Sequence, residues 1–304
     1  MSLKESGGKA LRDRDDSGVE PVLSVLCHTF NHAGYIAETI EGFLSQVVDF
    51  PCEIIIHDDA STDGTADIVR DYERRFPGIV KSICQTVNQY SQGKRPIRLT
   101  LSAAQGRYIA MCEGDDVWVD SSKLQKQVSF LEDNPEYVVC YHDAEVFDEN
   151  GVIKDSKMPL SRRRDHSKQE LQRGAWLLTL TLCYRKVFDD VPDEHMKVIN
   201  GDRFLVSLLG HHGAGKYLGN IEPARYRVHG GGVWSSKHRQ QRVIEHVVTY
   251  YWMSEYYQRI ENIPLGHYFR MKSARMLIKG APRLLGFSSY SLNVVWRILA
   301  GRRN

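Results

Sequence analysis

The chain has 304 residues, 42% of them hydrophobic and 26% charged, and its 40 basic and 38 acidic side chains leave a formal net charge of +2. That length can hold one large domain, or a core with an appendage, and can bury a substantial core. The near-neutral charge argues against a dedicated nucleic-acid binder. Six scattered cysteines (Cys27, Cys52, Cys84, Cys112, Cys140 and Cys183) form no C-x-x-C pair. They read as reduced core residues of a cytosolic protein, with no zinc site.

Residues 1–19 are polar, charged and glycine-containing, which predicts a disordered N-terminal segment with no signal peptide. Val22 to Cys27 then reads as a buried strand ending in His28-Thr29-Phe30-Asn31-His32. The helix after it carries Tyr35, Ile36, Ile40, Phe43 and Leu44 on one face. Glu53 to His57 is a second strand, followed by Asp58-Asp59-Ala60-Ser61-Thr62-Asp63-Gly64-Thr65, a run rich in helix N-cap residues. A third apolar run, Tyr108 to Met111, leads into Cys112-Glu113-Gly114-Asp115-Asp116-Val117-Trp118.

Carboxylates at the C-terminal end of a strand sit where open α/β sheets bind ligands. Hard oxygen donors of this kind hold Mg2+ or Mn2+, and those ions hold phosphates. The plainer alternative is an acidic loop before a helix that starts near Asp120. Three β-loop-α units with polar loops at one end predict an α/β, Rossmann-like domain with a mostly parallel sheet. No G-x-G-x-x-G turn follows the first strand, so a dinucleotide cofactor is not indicated.

Beyond residue 150 the signals are sparser. Ser161 to Ser167 is a charged loop, either a solvated linker or a lid over a diphosphate. Ala175 to Arg185 reads as a long buried strand, and from Asp202 onward the apolar spacing is helical. In Tyr226 to Ser236, His229 precedes three glycines that let backbone approach a ligand closely. From Tyr250 on, dense aromatic residues predict helices packed against the preceding domain. Met271 to Ile278 and Leu284 to Leu299 mix apolar and basic residues, and suit either a buried helix, a dimer contact or a helix on an anionic membrane surface. No apolar stretch approaches the roughly 20 residues of a membrane span.

Four blocks carry a resemblance. His28-Thr29-Phe30-Asn31-His32, Ile36 through Gln46, His57 through Thr65, and Ala104-Gln105-Gly106-Arg107-Tyr108-Ile109 running into Glu113-Gly114-Asp115-Asp116 resemble the family-2 glycosyltransferases of GT-A fold. Their order and spacing match over roughly residues 20–140. One departure is visible: the family's metal motif often opens on Asp, where this chain has Glu113.

The resemblance implies a GT-A catalytic domain over 20–240, with a nucleotide-binding half (20–150) and an acceptor-binding half (151–240), then a helical extension over 241–304. It implies a nucleotide-sugar donor bound by Thr29, Phe30, Asn31, Asp59 and Asp115, with Phe30 stacked on the base and Asp59 accepting from a uracil or thymine imide. Arg98 is a candidate for the diphosphate, against a solvated basic loop. Asp116, Asp115 and His229 are the candidate ligands of Mn2+ or Mg2+, and Asp202 matches the position of a general base. A metal-neutralised diphosphate leaving group, a carboxylate that deprotonates the acceptor hydroxyl and attack from the opposite face together give inversion.

The setting so implied is bacterial surface-polysaccharide synthesis on a glycan or lipid-linked acceptor. The expected location is cytoplasmic, with peripheral contact at the inner membrane face and a homodimer both open. Two rivals stand beside this reading: a nucleotidyltransferase, whose Gly-rich basic loop after the first strand is absent here, and a non-catalytic nucleotide-sugar-binding module.

Overall fold

The computed structural model describes residues 8–232 and 238–280. Its strands are β1 (Lys9–Ala10), β2 (Leu23–Thr29), β3 (Val47–Val48), β4 (Cys52–Asp58), β5 (Val80–Cys84), β6 (Tyr108–Glu113), β7 (Tyr137–Tyr141), β8 (Ala144–Asp148), β9 (Gly151–Lys154), β10 (Cys183–Arg185), β11 (Ala214–Tyr217) and β12 (Ala224–Arg227). Its α-helices are α1 (Ile36–Leu44), α2 (Thr65–Arg75), α3 (Pro96–Ala103), α4 (Lys123–Asp133), α5 (Lys168–Gln172), α6 (Gly201–Leu209), α7 (Arg239–Arg259) and α8 (Ile263–Gly280).

The chain forms two compact units, each assembled from separate stretches of sequence. The first holds the described residues up to Lys168, with Leu177–Asp190 and His212–Val228. The second holds Gln169–Trp176, Val191–His211 and the described residues from His229 on.

The first unit is built on a seven-stranded sheet of order β11-β7-β10-β6-β2-β4-β5. β2 pairs parallel with both β4 and β6, and only β10 runs against its neighbours. A parallel sheet is covered on both faces, so its central strands are apolar without alternation. Leu23, Val25, Cys27, Ile54, Ile56, Ile109 and Ala110 are accordingly inaccessible to solvent. Burying each Leu, Ile or Phe side chain contributes about 1.5–3 kcal/mol. Helix α1 presses Ile36, Ile40, Phe43 and Leu44 into this core, the face that its 3.6-residue period predicts. A separate three-stranded sheet, β12-β8-β9, lies in the same unit. Five of the six cysteines are buried and all six are free.

Two expectations are corrected. Residues 8–19 are ordered: β1 pairs with β3, and Leu11 is fully buried. Arg14 and Asp16 form a bidentate ion pair, and Asp16 accepts from the Cys52 N–H, so a polar composition is ordered through fixed charge contacts. Nor is Ala175 to Arg185 one strand. Only Cys183–Arg185 is extended, after a single 3-10 turn at Thr179–Thr181. The turn exposes carbonyls that other side chains use: Leu180 O accepts from Trp118 Nε1 (2.7 Å) and Thr181 O from Gln127 Nε2 (2.8 Å).

The second unit is helical among its described residues, with α7 and α8 packed together. Tyr250, Tyr251, Tyr257 and Phe269 are buried there, and Tyr257 stacks on Phe269 at 5.6 Å. No described helix is long and apolar enough to cross a membrane. Of the basic amphipathic tail of the sequence reading, Met271 to Ile278 belongs to α8, and residues 281–304 lie outside the described residues.

Candidate active site

Strands β2, β4 and β6 end side by side. Register places His28 opposite both His57 and Glu113, and Thr29 opposite Asp58. The three polar loops therefore leave the sheet at one edge, the position that parallel βαβ topology reserves for ligands.

The first two loops are knit by hydrogen bonds. Asn31 N donates to Ser61 Oγ (2.8 Å), Thr62 N to Asn31 Oδ1 (2.9 Å), His32 N to Thr65 Oγ1 (2.9 Å) and Ala33 N to Asp63 Oδ2 (2.9 Å). These bonds hold two non-glycine residues in the left-handed region, Asn31 at φ 54° and Ala60 at φ 62°. Such conformations cost of order 1–3 kcal/mol each and persist where the surroundings over-determine them. Asp58 accepts from the N–H and hydroxyl of Ser61, which shapes the turn into α2. Phe30 stands out of this framework with 43% of its surface exposed. An aromatic face held at a strand end offers a base a stacking surface.

Asp59 directly follows β4, at the start of the second loop. Its carboxylate is buried and accepts from two backbone N–H groups, Gln89 (2.7 Å) and Tyr90 (2.9 Å). It thereby fixes the loop after β5. On that loop the Arg95 guanidinium sits over the Tyr90 ring at 4.4 Å, and Arg95 Nε is buried without a hydrogen-bond partner among the described residues. Arg98, three residues on in α3, instead forms an ion pair with Asp190 at 2.8 Å. The sequence singled out Arg98 and passed over Arg95, because both sit in one basic run and only the fold shows which is paired.

The third loop carries the acids. A Cβ on Gly114 would fall 2.6 Å from Thr29 Oγ1, so the chain can pack here only as glycine. That contact buries Thr29, whose hydroxyl has no hydrogen-bond partner among the described residues. The Thr39 hydroxyl of α1 donates to the carbonyls of Gly114 (3.1 Å) and Asp116 (2.8 Å). Asp116 is 2% exposed and its Oδ1 accepts from the Arg227 N–H of β12 at 2.9 Å. Burial, then the charges of Asp115 and Glu113, push its carboxyl well above the ordinary range. Asp115 faces His32, with Nε2 to Oδ2 at 3.8 Å. Arg227 braces the loop further: its Nε donates to Asp115 O (2.9 Å), and its guanidinium pairs with Glu38 and lies 4.3 Å from the Phe147 ring.

The His32 imidazole and the Asp115 carboxylate, 3.8 Å apart, are a pair of side chains that can ligate Mn2+ or Mg2+. Mutual repulsion of the acids is the strain that a divalent cation relieves. His32 was not among the candidate ligands of the sequence reading, though it closes the first block.

The other two candidates belong to the second unit. Asp202 lies in the first turn of α6, half-buried, and burial raises its carboxyl above the ordinary range. Asn200, before that helix, bonds His246 of α7 at 2.9 Å, and burial holds His246 down at about 4. His229 opens the last stretch of the second unit and follows Val228 directly in the chain.

The α/β layer with its mostly parallel central sheet and flanking helices is a GT-A fold. Residues 24–192 match the sequence model described as Glycosyl transferase family 2, and the chain belongs to that family. Among curated relatives, an uncharacterized protein of Mycobacterium tuberculosis, Rv1520, is 37% identical over 225 residues, covering 72% of this chain and 62% of that one. The chain thus matches under two thirds of that relative's length. The Escherichia coli protein WfaP, a UDP-Glc:alpha-D-GlcNAc-diphosphoundecaprenol beta-1,3-glucosyltransferase, is 37% identical over 112 residues, covering 36% of this chain and 41% of its own. Among solved structures, the mannosyltransferase PcManGT from Pyrobaculum calidifontis in complex with GDP-Man and Mn2+ superposes with a TM-score of 0.56 at 16% identity. That superposition covers 94% of this chain and 82% of PcManGT, and it shows the shared fold.

Proposed function

We propose that this chain transfers a sugar, hexosyl or related, from a nucleotide-diphosphate donor to an acceptor hydroxyl with inversion. The observation that carries this reading is the cluster of Glu113, Asp115 and Asp116 at the end of β6, with His32 3.8 Å from Asp115. A divalent ion bound there neutralises charge developing on the leaving diphosphate. Asp115 and His32 are the first-choice ligands, with Asp116 and His229 the further ones. Thr29, Phe30 and Asn31 form the wall for the base and ribose, and Asp59 acts by fixing the Tyr90–Arg95 loop. Arg95, stacked on Tyr90, is the proposed cation on the nucleoside side, while Arg98, paired with Asp190, remains the candidate for the diphosphate.

Asp202 is the proposed base. Its raised carboxyl suits a group that must take a proton from a hydroxyl near neutral pH. UDP is the preferred nucleotide, supported by WfaP, which uses UDP-Glc; GDP is the alternative, supported by the GDP-Man complex of PcManGT. A lipid-linked acceptor of a surface polysaccharide is the acceptor class proposed, and the basic residues 281–304 would bring the enzyme to an anionic membrane face.

The test is a donor screen with Mn2+, reading nucleoside diphosphate release with and without membrane extract as acceptor source. Release from one sugar nucleotide that needs both metal and acceptor supports the proposal. Binding of that nucleotide with no turnover under any acceptor, and no effect of Asp202→Asn, would favour the non-catalytic binding module.

A further inference from the structure

The residue before α6 has a side chain suited to capping that helix and does not use it so. Asn200 stands at the N-cap position, where an asparagine ordinarily accepts from an N–H of the first turn. It makes no such bond. Its side-chain amide instead bonds Nδ1 of His246, on α7, at 2.9 Å. Asn200 is buried, and its own N–H donates to the Thr249 hydroxyl of α7 at 3.4 Å. Gly201, the next residue, is seated on the ring of His195. A Cβ there would fall 2.9 Å from His195 Cε1, and His195 Nε2 bonds Gly201 O at 3.0 Å. The two residues that precede Asp202 are thus each fastened to an imidazole.

A capping bond would stay within α6, whereas the bond to His246 ties the start of that helix to a second element. Burial, then the charges of Arg203 and Lys272, keeps His246 neutral, so its Nδ1 accepts from the Asn200 amide. Asp202 sits two residues beyond that tie. Burial raises its carboxyl, while the charge of Arg203 and the N–H groups of Arg203 and Asp202 itself favour the ionised form. A general base has to lie within hydrogen-bond reach of the hydroxyl it deprotonates, and groups behind it hold it there.

We propose that His246 is a positioning residue for sugar transfer: through Asn200 it fixes the first turn of α6 and so aims the Asp202 carboxylate at the acceptor hydroxyl. The proposal rests on the reading of Asp202 as the base. His246 itself takes no proton in the reaction.

Transfer is measured on the full chain with Mn2+, membrane extract and the UDP- or GDP-sugar that wild type turns over. The variants are H246L, H246N and N200A, each also in the Asp202→Asn background. H246L removes the acceptor nitrogen, and H246N keeps an acceptor near the Nδ1 position. H246L and N200A should each lower kcat by about tenfold or more, as a displaced catalytic group does, with the donor KM within about twofold. H246N should recover most of the loss. In Asp202→Asn none of these changes should lower kcat further, because no base is left to aim. Amide exchange over residues 198–209, which needs no donor, should quicken in H246L and not in H246N. Should H246L not melt cooperatively, N200A is read in its place. A further loss of kcat in the Asp202→Asn background, a donor KM that rises as kcat falls, or unaltered kcat or exchange overturns the proposal. A fully active Asp202→Asn, or wild type that turns over no donor, sinks the reading of Asp202 itself, a separate outcome.

Discussion

The N–H of Arg227 donates to Asp116 Oδ1 across 111 residues of sequence at 2.9 Å. Strand β12 thus meets the acid loop through its backbone, whereas the sequence of Tyr226 to Ser236 pointed only to His229 and the glycines. Asp116 is held by backbone and buried, while Asp115 beside it remains partly exposed, facing His32.

That division makes the two acids separable. Asp115→Ala should abolish Mn2+-dependent binding of UDP or GDP with little change in Tm. Asp116→Ala should lose the same binding and also strand the Arg227 N–H, at a cost of about 1–3 kcal/mol for an unsatisfied buried donor. Asp116→Asn keeps an acceptor oxygen and should hold Tm close to wild type while binding stays lost. Calorimetry and thermal melts read both, and full Mn2+-dependent affinity in Asp116→Asn would move the ion to Asp115, Glu113 and the histidines.

Asp202→Asn preserves shape but removes the base. Donor affinity should remain within a few-fold while transfer falls by roughly 10² to 10⁴, the range for a positioned general base. Equal loss of both would make Asp202 structural.

The same residue sets a pH dependence. Burial raises the Asp202 carboxyl, and a base must be ionised to act, so activity is present above that raised value and lost as pH falls through it. The acid limb of kcat/KM should have its midpoint above 3.8, the ordinary value of an aspartate. A rate that stays flat down to pH 4 in a protein still folded would exclude Asp202 as the base.

Arg95 and Arg98 should part company. Arg95→Ala removes the cation on Tyr90 and should weaken UDP and uridine alike, by about five- to tenfold. Arg98→Ala breaks a half-exposed pair with Asp190, worth about 0–1 kcal/mol, and should weaken UDP while changing uridine less than twofold. Reversed effects would exchange the two assignments.

Much of the architecture was legible because local chemistry and fold agree. Apolar runs at residues 23–27, 53–57 and 108–111 became the three central strands, and each ended in the polar loop that the sequence showed. Glu113, Asp115 and Asp116 share one loop, so their proximity was visible. What escaped was set by long-range contacts. The Arg227–Asp116 bond and the seat of Lys157 on Tyr226 join segments far apart in sequence. The two backbone partners of Asp59, Gln89 and Tyr90, likewise lie 30 and 31 residues away. Residues 8–19 read as disordered because composition does not reveal that Arg14 meets Asp16 and that Leu11 is buried.

The central claim is metal-dependent sugar transfer, and a donor panel tests it most directly. UDP- and GDP-sugars are incubated with the full chain and membrane extract, in Mn2+ or in EDTA, and nucleoside diphosphate release is measured for wild type and Asp202→Asn. The account predicts release from at least one donor with Mn2+, none in EDTA, and a loss of roughly 10² or more in Asp202→Asn. Equal release in EDTA, or full activity in Asp202→Asn, would contradict it.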